Sequence, residues 1–121
     1  MTVRVAIVGS GPSGFYTADA LLRSGADVEI DVIDRLPTPF GLIRAGVAPD
    51  HQKTKNVSRA YEKTALNDKV TYYGNVNVGA DISIEELKKL YEAVVIAIGS
   101  PYDRKLGVPG EDKKGVFGSA D

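Results

Sequence analysis

The chain has 121 residues, room for one ordinary domain rather than two. With 43% apolar residues it can build a core, and with no cysteine it excludes disulfides, thiolate metal sites and a cysteine nucleophile. A formal net charge of -1 excludes the broad basic footprint of a nucleic-acid binder, and no apolar run is long enough for a bilayer helix. The first residues run straight into a strand-like pattern and lack the layout of a signal peptide, so a cytoplasmic protein is expected. The compositional oddity is glycine, with 13 residues against about 7% in average proteins.

Residues 3–8 are β-branched and bounded by Gly9, which predicts a buried strand. A helix is predicted over 12–23, with Phe15, Ala18, Leu21 and Leu22 on one face. Pro12 fits its first turn and Gly25 the position just past its end. A second strand, 28–33, ends in Asp34, so strand–helix–strand takes about 32 residues, the size of a βαβ unit. Residues 35–49 read as a loop, yet Phe40, Leu42, Ile43 and Val47 make it apolar, so it should pack against something. An amphipathic helix is predicted over 50–65, with Val57, Ala60, Tyr61, Thr64 and Ala65 inward and Lys55, Arg59 and Lys63 on the opposite side. Short strands are predicted at 70–73 and 75–78. Ser83 and Glu86 form a capping-box pattern that opens a short helix to about Leu90. Residues 93–98 read as a strongly buried strand ending at Gly99, and Val116-Phe117 as a short strand in a polar tail. Strands alternating with helices imply an α/β fold with a mainly parallel, covered sheet.

Gly9-Ser10-Gly11-Pro12-Ser13-Gly14 matches G-x-G-x-x-G between a strand and a helix, the context that gives this pattern meaning. Gly9 allows the tight turn, Gly11 a close backbone approach to a pyrophosphate, and Gly14 close helix–strand packing. Free N–H groups at the helix start favour an anion. Asp34 lies 20 residues after Gly14, where an acid accepts hydrogen bonds from an adenosine ribose. Its charge opposes a 2′-phosphate, which favours NAD or FAD over NADP at this loop.

The segment 5–18 is similar to the start of an FAD-binding domain. The segment 36–51, Leu-Pro-Thr-Pro-Phe-Gly-Leu-Ile-Arg-Ala-Gly-Val-Ala-Pro-Asp-His, is more distinctive and resembles ferredoxin–NADP reductases of the adrenodoxin reductase type. Tyr72-Tyr73-Gly74-Asn75-Val76, the run 91–100, Asp103-Arg104 and Val108-Pro109-Gly110-Glu111-Asp112 extend the resemblance over essentially the whole chain. It implies a Rossmann-like three-layer FAD/NAD(P)-binding domain. It also implies an oxidoreductase, a flavoprotein that carries electrons from NADPH through FAD to a ferredoxin or similar iron–sulfur protein. By the same resemblance Ser13, Leu42 and Val78 match FAD contacts, Asp34 the ribose acid (more often Glu) and Arg104 an NADP contact. His51 matches a Pro-Asp-His position near the flavin. The resemblance also makes 40–43 a cover for the isoalloxazine ring, with Gly41 and Gly46 permitting close approach. On pattern alone, Phe40, Leu42 and Val47 equally suit a plug at the sheet edge.

His51 is the sole histidine, a residue type that suits proton transfer as well as a structural hydrogen bond. Arg104 and Lys105 suit a 2′-phosphate, and the basic row suits an acidic partner or simply solvent. No acidic residues have metal-ligand spacing. A disulfide-reductase relative is disfavoured, because the redox Cys pair is missing. Reductases of the resembled type need several hundred residues and a second glycine-rich loop. Residues 1–121 are therefore expected to be the N-terminal part of an FAD-binding domain, without the NADPH domain and the C-terminal FAD segment, and inactive alone. The alternative is a stand-alone dinucleotide-binding module that self-associates into a homo-oligomer through exposed apolar surface.

Overall fold

The structure, a computed structural model, describes residues 1–46 and 50–118. Its elements are β1 (Val3–Val8), α1 (Pro12–Arg23), β2 (Val28–Ile33), α2 (Gly41–Ala45), α3 (Gln52–Lys55), α4 (Ser58–Ala65), β3 (Val70–Tyr73), α5 (Ile84–Leu90) and β4 (Ala93–Ile96). The four strands form a parallel sheet in the order β3-β2-β1-β4.

Period-two alternation sends successive β1 side chains to opposite faces. Val5 and Ile7 join Ala18 of α1 with Val28, Ile30, Val32 and Val70. Ala6 and Val8 join Ile33 and Leu87 of α5 on the other face. The sheet therefore lies between α1 and α5, the covered three-layer arrangement of a parallel sheet. Full burial of a side chain such as Ile7 or Ile30 contributes about 1.5–3 kcal/mol. A third cluster, Phe15 with Phe40 and Tyr61, ties α1 and α4 to the loop after β2.

Local signals act where the sequence puts them. Pro12 occupies the first turn of α1, and Gly25, at φ +77°, follows its C-cap Ser24. Ser83 Oγ accepts from the Glu86 N–H while the Glu86 carboxylate accepts from the Ser83 N–H, a complete capping box.

Six expectations need correction. The loop 35–49 contains the short helix α2, and Val47 and Pro49 lie outside the described residues. The helix expected over 50–65 is broken into α3 and α4. Asn56, β-branched Val57 and Ser58 are poor helix formers in a row, and at the break Arg59 N–H donates to Asn56 O and Ala60 N–H to Val57 O, a tighter turn. Of the expected inward stripe, Tyr61 and Thr64 are buried, Val57 and Ala65 partly so, and Ala60 is exposed. The expected strand 75–78 reduces to one bridge between Val78 and Ile82, because Asn75 turns at φ +58°. The expected strand 93–98 stops at Ile96 and is only half-buried, being a sheet edge rather than a centre. Val116 and Phe117 are exposed and lie outside every strand.

Candidate functional site

The chain runs from β1 to β2 and β3 on one side, then returns through α5 to β4 on the other side of β1. The carboxyl ends of β1 and β4 thus flank a topological switch point, the place where open parallel sheets bind ligands. A cavity of about 270 Å³ opens there, walled by Gly9, Gly11, Ser13 and Asp34 together with Leu42 and Ile98.

Glycine geometry explains its floor. Gly9 has φ +111°, and a Cβ on it would lie 2.1 Å from the Ala97 carbonyl oxygen, so the turn off β1 and the approach of β4 both demand glycine. A Cβ on Gly14 would lie 2.2 Å from the Gly9 oxygen, which fixes how closely α1 sits on β1. At Gly11 the reverse holds: a Cβ would meet nothing within 4 Å. That opening faces the start of α1, whose N-terminus no side chain caps. Uncapped amides and the positive end of a 12-residue helix suit a pyrophosphate. The residues present thus fit the diphosphate of a dinucleotide.

The loop after β2 forms one wall. Phe40 N–H donates to Ser10 O at 2.9 Å, and Gly41 turns at φ +52° against the Gly11 Cα. Phe40 itself holds φ +85°, a conformation that aromatic residues rarely adopt. Its ring is buried against Phe15 and Tyr61, with centroids 5.3 and 6.2 Å away, and Arg44 lies over it at 5.9 Å. The apolar loop therefore divides: Phe40 plugs the core, while Leu42, 60% exposed, borders the cavity. Gly46 does not serve the crevice; a Cβ there would meet the Leu42 side chain at 2.8 Å.

Asp34 anchors the junction. Its Oδ2 accepts from the Ser10 N–H at 2.9 Å and from Ser10 Oγ at 2.5 Å, and its Oδ1 from the Leu36 N–H at 3.0 Å. Tyr72 Oη donates to the Leu36 carbonyl at 2.9 Å. Burial raises the Tyr72 pKa, the Ser10 hydrogen bond opposes that shift, and the Asp34 charge adds to it.

Among the sequence-derived candidates, Gly9, Gly11, Ser13, Asp34 and Leu42 meet at the cavity, and Gly14 packs beneath it. Three lie apart. Val78 packs against the Ala6–Val8–Ile33–Leu87 cluster. His51 is exposed, just before α3. Arg104 is exposed in a segment without regular structure, as is Lys105. Arg59 and Lys63 of the basic row are exposed on α4, and the Lys55 side chain lies outside the described residues. Ile43, of the expected ring cover, also lines the cavity, as do Arg35, Leu36, Ala97, Ile98, Ser100 and Pro101, for which no separate role was expected. The signal that finds them is topological: residues just past the ends of parallel strands. Among the described residues no helix is long and apolar enough to cross a membrane.

Comparison with known proteins agrees with this geometry. The chain is 49% identical over 118 residues to the mitochondrial NADPH:adrenodoxin oxidoreductase of Salvelinus fontinalis, covering 98% of this chain and 24% of that protein. It is 46% identical over 122 residues to the NADPH-ferredoxin reductase FprA of Mycobacterium leprae, covering 97% of this chain and 27% of that protein. The solved structure of Mycobacterium tuberculosis FprA in complex with NADPH superposes with a TM-score of 0.90 at 45% identity, over 96% of this chain and 27% of that one. The chain thus spans about a quarter of the length of the curated relatives it matches. Several of these are mitochondrial, so they lend no support to the cytoplasmic expectation. The setting aside of disulfide-reductase kinship is also corrected: the chain has no cysteine, yet residues 3–121 match the model of the pyridine nucleotide-disulphide oxidoreductases. It is to the pyridine nucleotide-disulphide oxidoreductase family that this chain belongs.

Proposed function

We propose that the chain binds FAD at the β1–β4 crevice and forms the N-terminal part of the FAD-binding portion of an NADPH-dependent ferredoxin reductase of the adrenodoxin type. The observation that carries this is the open Gly11 position over the uncapped start of α1, walled by Asp34 and Leu42. In this reading the 9–14 loop and the α1 N-terminus hold the pyrophosphate, and Ser13 donates to it. Leu42 borders the flavin end. Bound there, FAD would accept a hydride and release single electrons to an iron–sulfur protein. His51 is proposed as a proton donor, Val78 as an FAD contact and Arg104 as an NADP contact; each lies outside the cavity walls. The 121 residues alone, with one G-x-G-x-x-G loop, should bind nucleotide without NADPH turnover.

Purified protein should be yellow, and heat should release a flavin that co-migrates with FAD. Colourless protein that binds neither FAD nor ADP in calorimetry would refute the reading. A His51→Ala variant of the full-length reductase should slow hydride transfer in a pH-dependent way; unchanged rates across pH would remove its proton role.

A second reading is the self-associating module. It draws on the exposed apolar residues Ile96 and Ile98 at the end of β4 and Leu106 and Phe117 in the segment that follows it in the chain. Sedimentation at rising concentration should then reveal dimers, and a strictly monomeric profile would exclude it.

A further inference from the structure

Phe40 joins the core to the cavity wall. It holds φ +85° and ψ 4° immediately before α2, so its backbone sets the direction in which Gly41, Leu42 and Ile43 enter the crevice. Residues with a Cβ rarely adopt this left-handed conformation, whereas glycine adopts it freely. Something must therefore hold it, and two contacts do. The Phe40 ring is buried, with its centroid 5.3 Å from Phe15 of α1 and 6.2 Å from Tyr61 of α4. The Phe40 N–H donates to the Ser10 carbonyl of the glycine loop at 2.9 Å. The next residue stands against that loop as well: a Cβ on Gly41 would lie 3.1 Å from the Gly11 Cα. A rotation at Phe40 therefore changes the width of the crevice beside Gly11.

We propose that Phe40 is a positioning residue, whose buried ring holds a strained turn and so sets the wall 41–43 at the nucleotide's distance from the glycine loop. The ring does not line the cavity and acts through the residues that follow it. The inference rests on the dinucleotide reading above and deepens it. It also reverses an ordinary ranking. Without the ring, a residue with a Cβ relaxes out of φ +85° and takes the wall with it, whereas glycine keeps the turn without strain. The smaller residue should therefore bind better. A ring that only filled the core would give no such advantage, since glycine leaves the larger void.

The test uses the full-length protein freed of bound flavin and titrated calorimetrically with FAD. Phe40→Ala should weaken binding by about tenfold or more, and Phe40→Gly should bind about fivefold better than Phe40→Ala, the scale of one left-handed residue. A readout without ligand accompanies it. Phe40→Leu refills the apolar site and secures a folded protein, but it loses the aromatic contacts to Phe15 and Tyr61. In that variant the residue 40 amide should exchange hydrogen faster, while the Ile30 amide in the core stays protected. This measurement decides if the smaller variants fail to fold. Alanine that binds as tightly as wild type, or glycine that binds no better than alanine, would overturn the assignment. Unchanged exchange at residue 40 in Phe40→Leu would overturn it too, whatever the affinities. Wild-type protein that binds no FAD would instead refute the dinucleotide reading, leaving the exchange result to judge the turn.

Discussion

Gly9 and Ala97 touch so closely that no side chain fits between them: a Cβ on Gly9 would stand 2.1 Å from the Ala97 carbonyl oxygen. The clash is with backbone, so it cannot be relieved by rotating a side chain. Gly9→Ala must move β4 away from β1 and also force φ +111° on a residue with a Cβ. We expect a loss of at least about 3 kcal/mol in denaturant unfolding. A loss under about 1 kcal/mol would mean that β4 can shift freely.

Gly11 makes the complementary case. Its Cβ position is empty and its φ is not positive, so Gly11→Ala should unfold within about 0.5 kcal/mol of wild type. Nucleotide binding should fall by about tenfold or more, because the methyl group fills the space where backbone approaches phosphate. Equal effects of both alanines on stability and affinity would contradict this division of labour.

Much of this was legible from residues alone. The 9–14 loop, α1, β2 and the Ser83 capping box each rest on local chemistry, which sequence carries openly. The missed features depend on neighbours. That residues 93–96 form an edge cannot be read from an apolar run, since edge and centre differ only in what pairs beyond them. The split at Asn56 is a weak local preference that tertiary packing was free to honour. Phe40 at φ +85° was out of reach, because its ring's burial against Phe15 and Tyr61 overrides a backbone cost.

At Ser83, alanine removes the acceptor for the Glu86 N–H and one half of the box. Ser83→Ala should cost about 1 kcal/mol in unfolding free energy. Glu86→Gln retains an acceptor for the Ser83 N–H and should cost less.

Alkaline titration should expose two tyrosines. Burial, then the hydrogen bond to Asp31, pushes Tyr91 up to about 12 from 10.0. Burial, then Tyr16, pushes Tyr61 up to about 12 as well. The folded state thus holds these protons more tightly than the unfolded chain. Their contribution is complete below pH 10 and is lost as pH climbs from about 10 to about 12. Denaturant midpoints should drop across that window, and Tyr91→Phe should flatten the drop. An identical slope in the variant would rule out Tyr91 as its source.

β1 finds its two neighbours at very different distances along the chain: Val3 registers with Val28, but Val5 waits for Ala93. Closing long segments before any reward makes such pairings late events in folding. During synthesis, the glycine loop and α1 leave the ribosome long before the strand that completes their crevice. Until β4 docks, a nucleotide has only one wall to hold it. The ligand can therefore act as a ratchet on the final docking step, and the search for the first strand pairs proceeds without it.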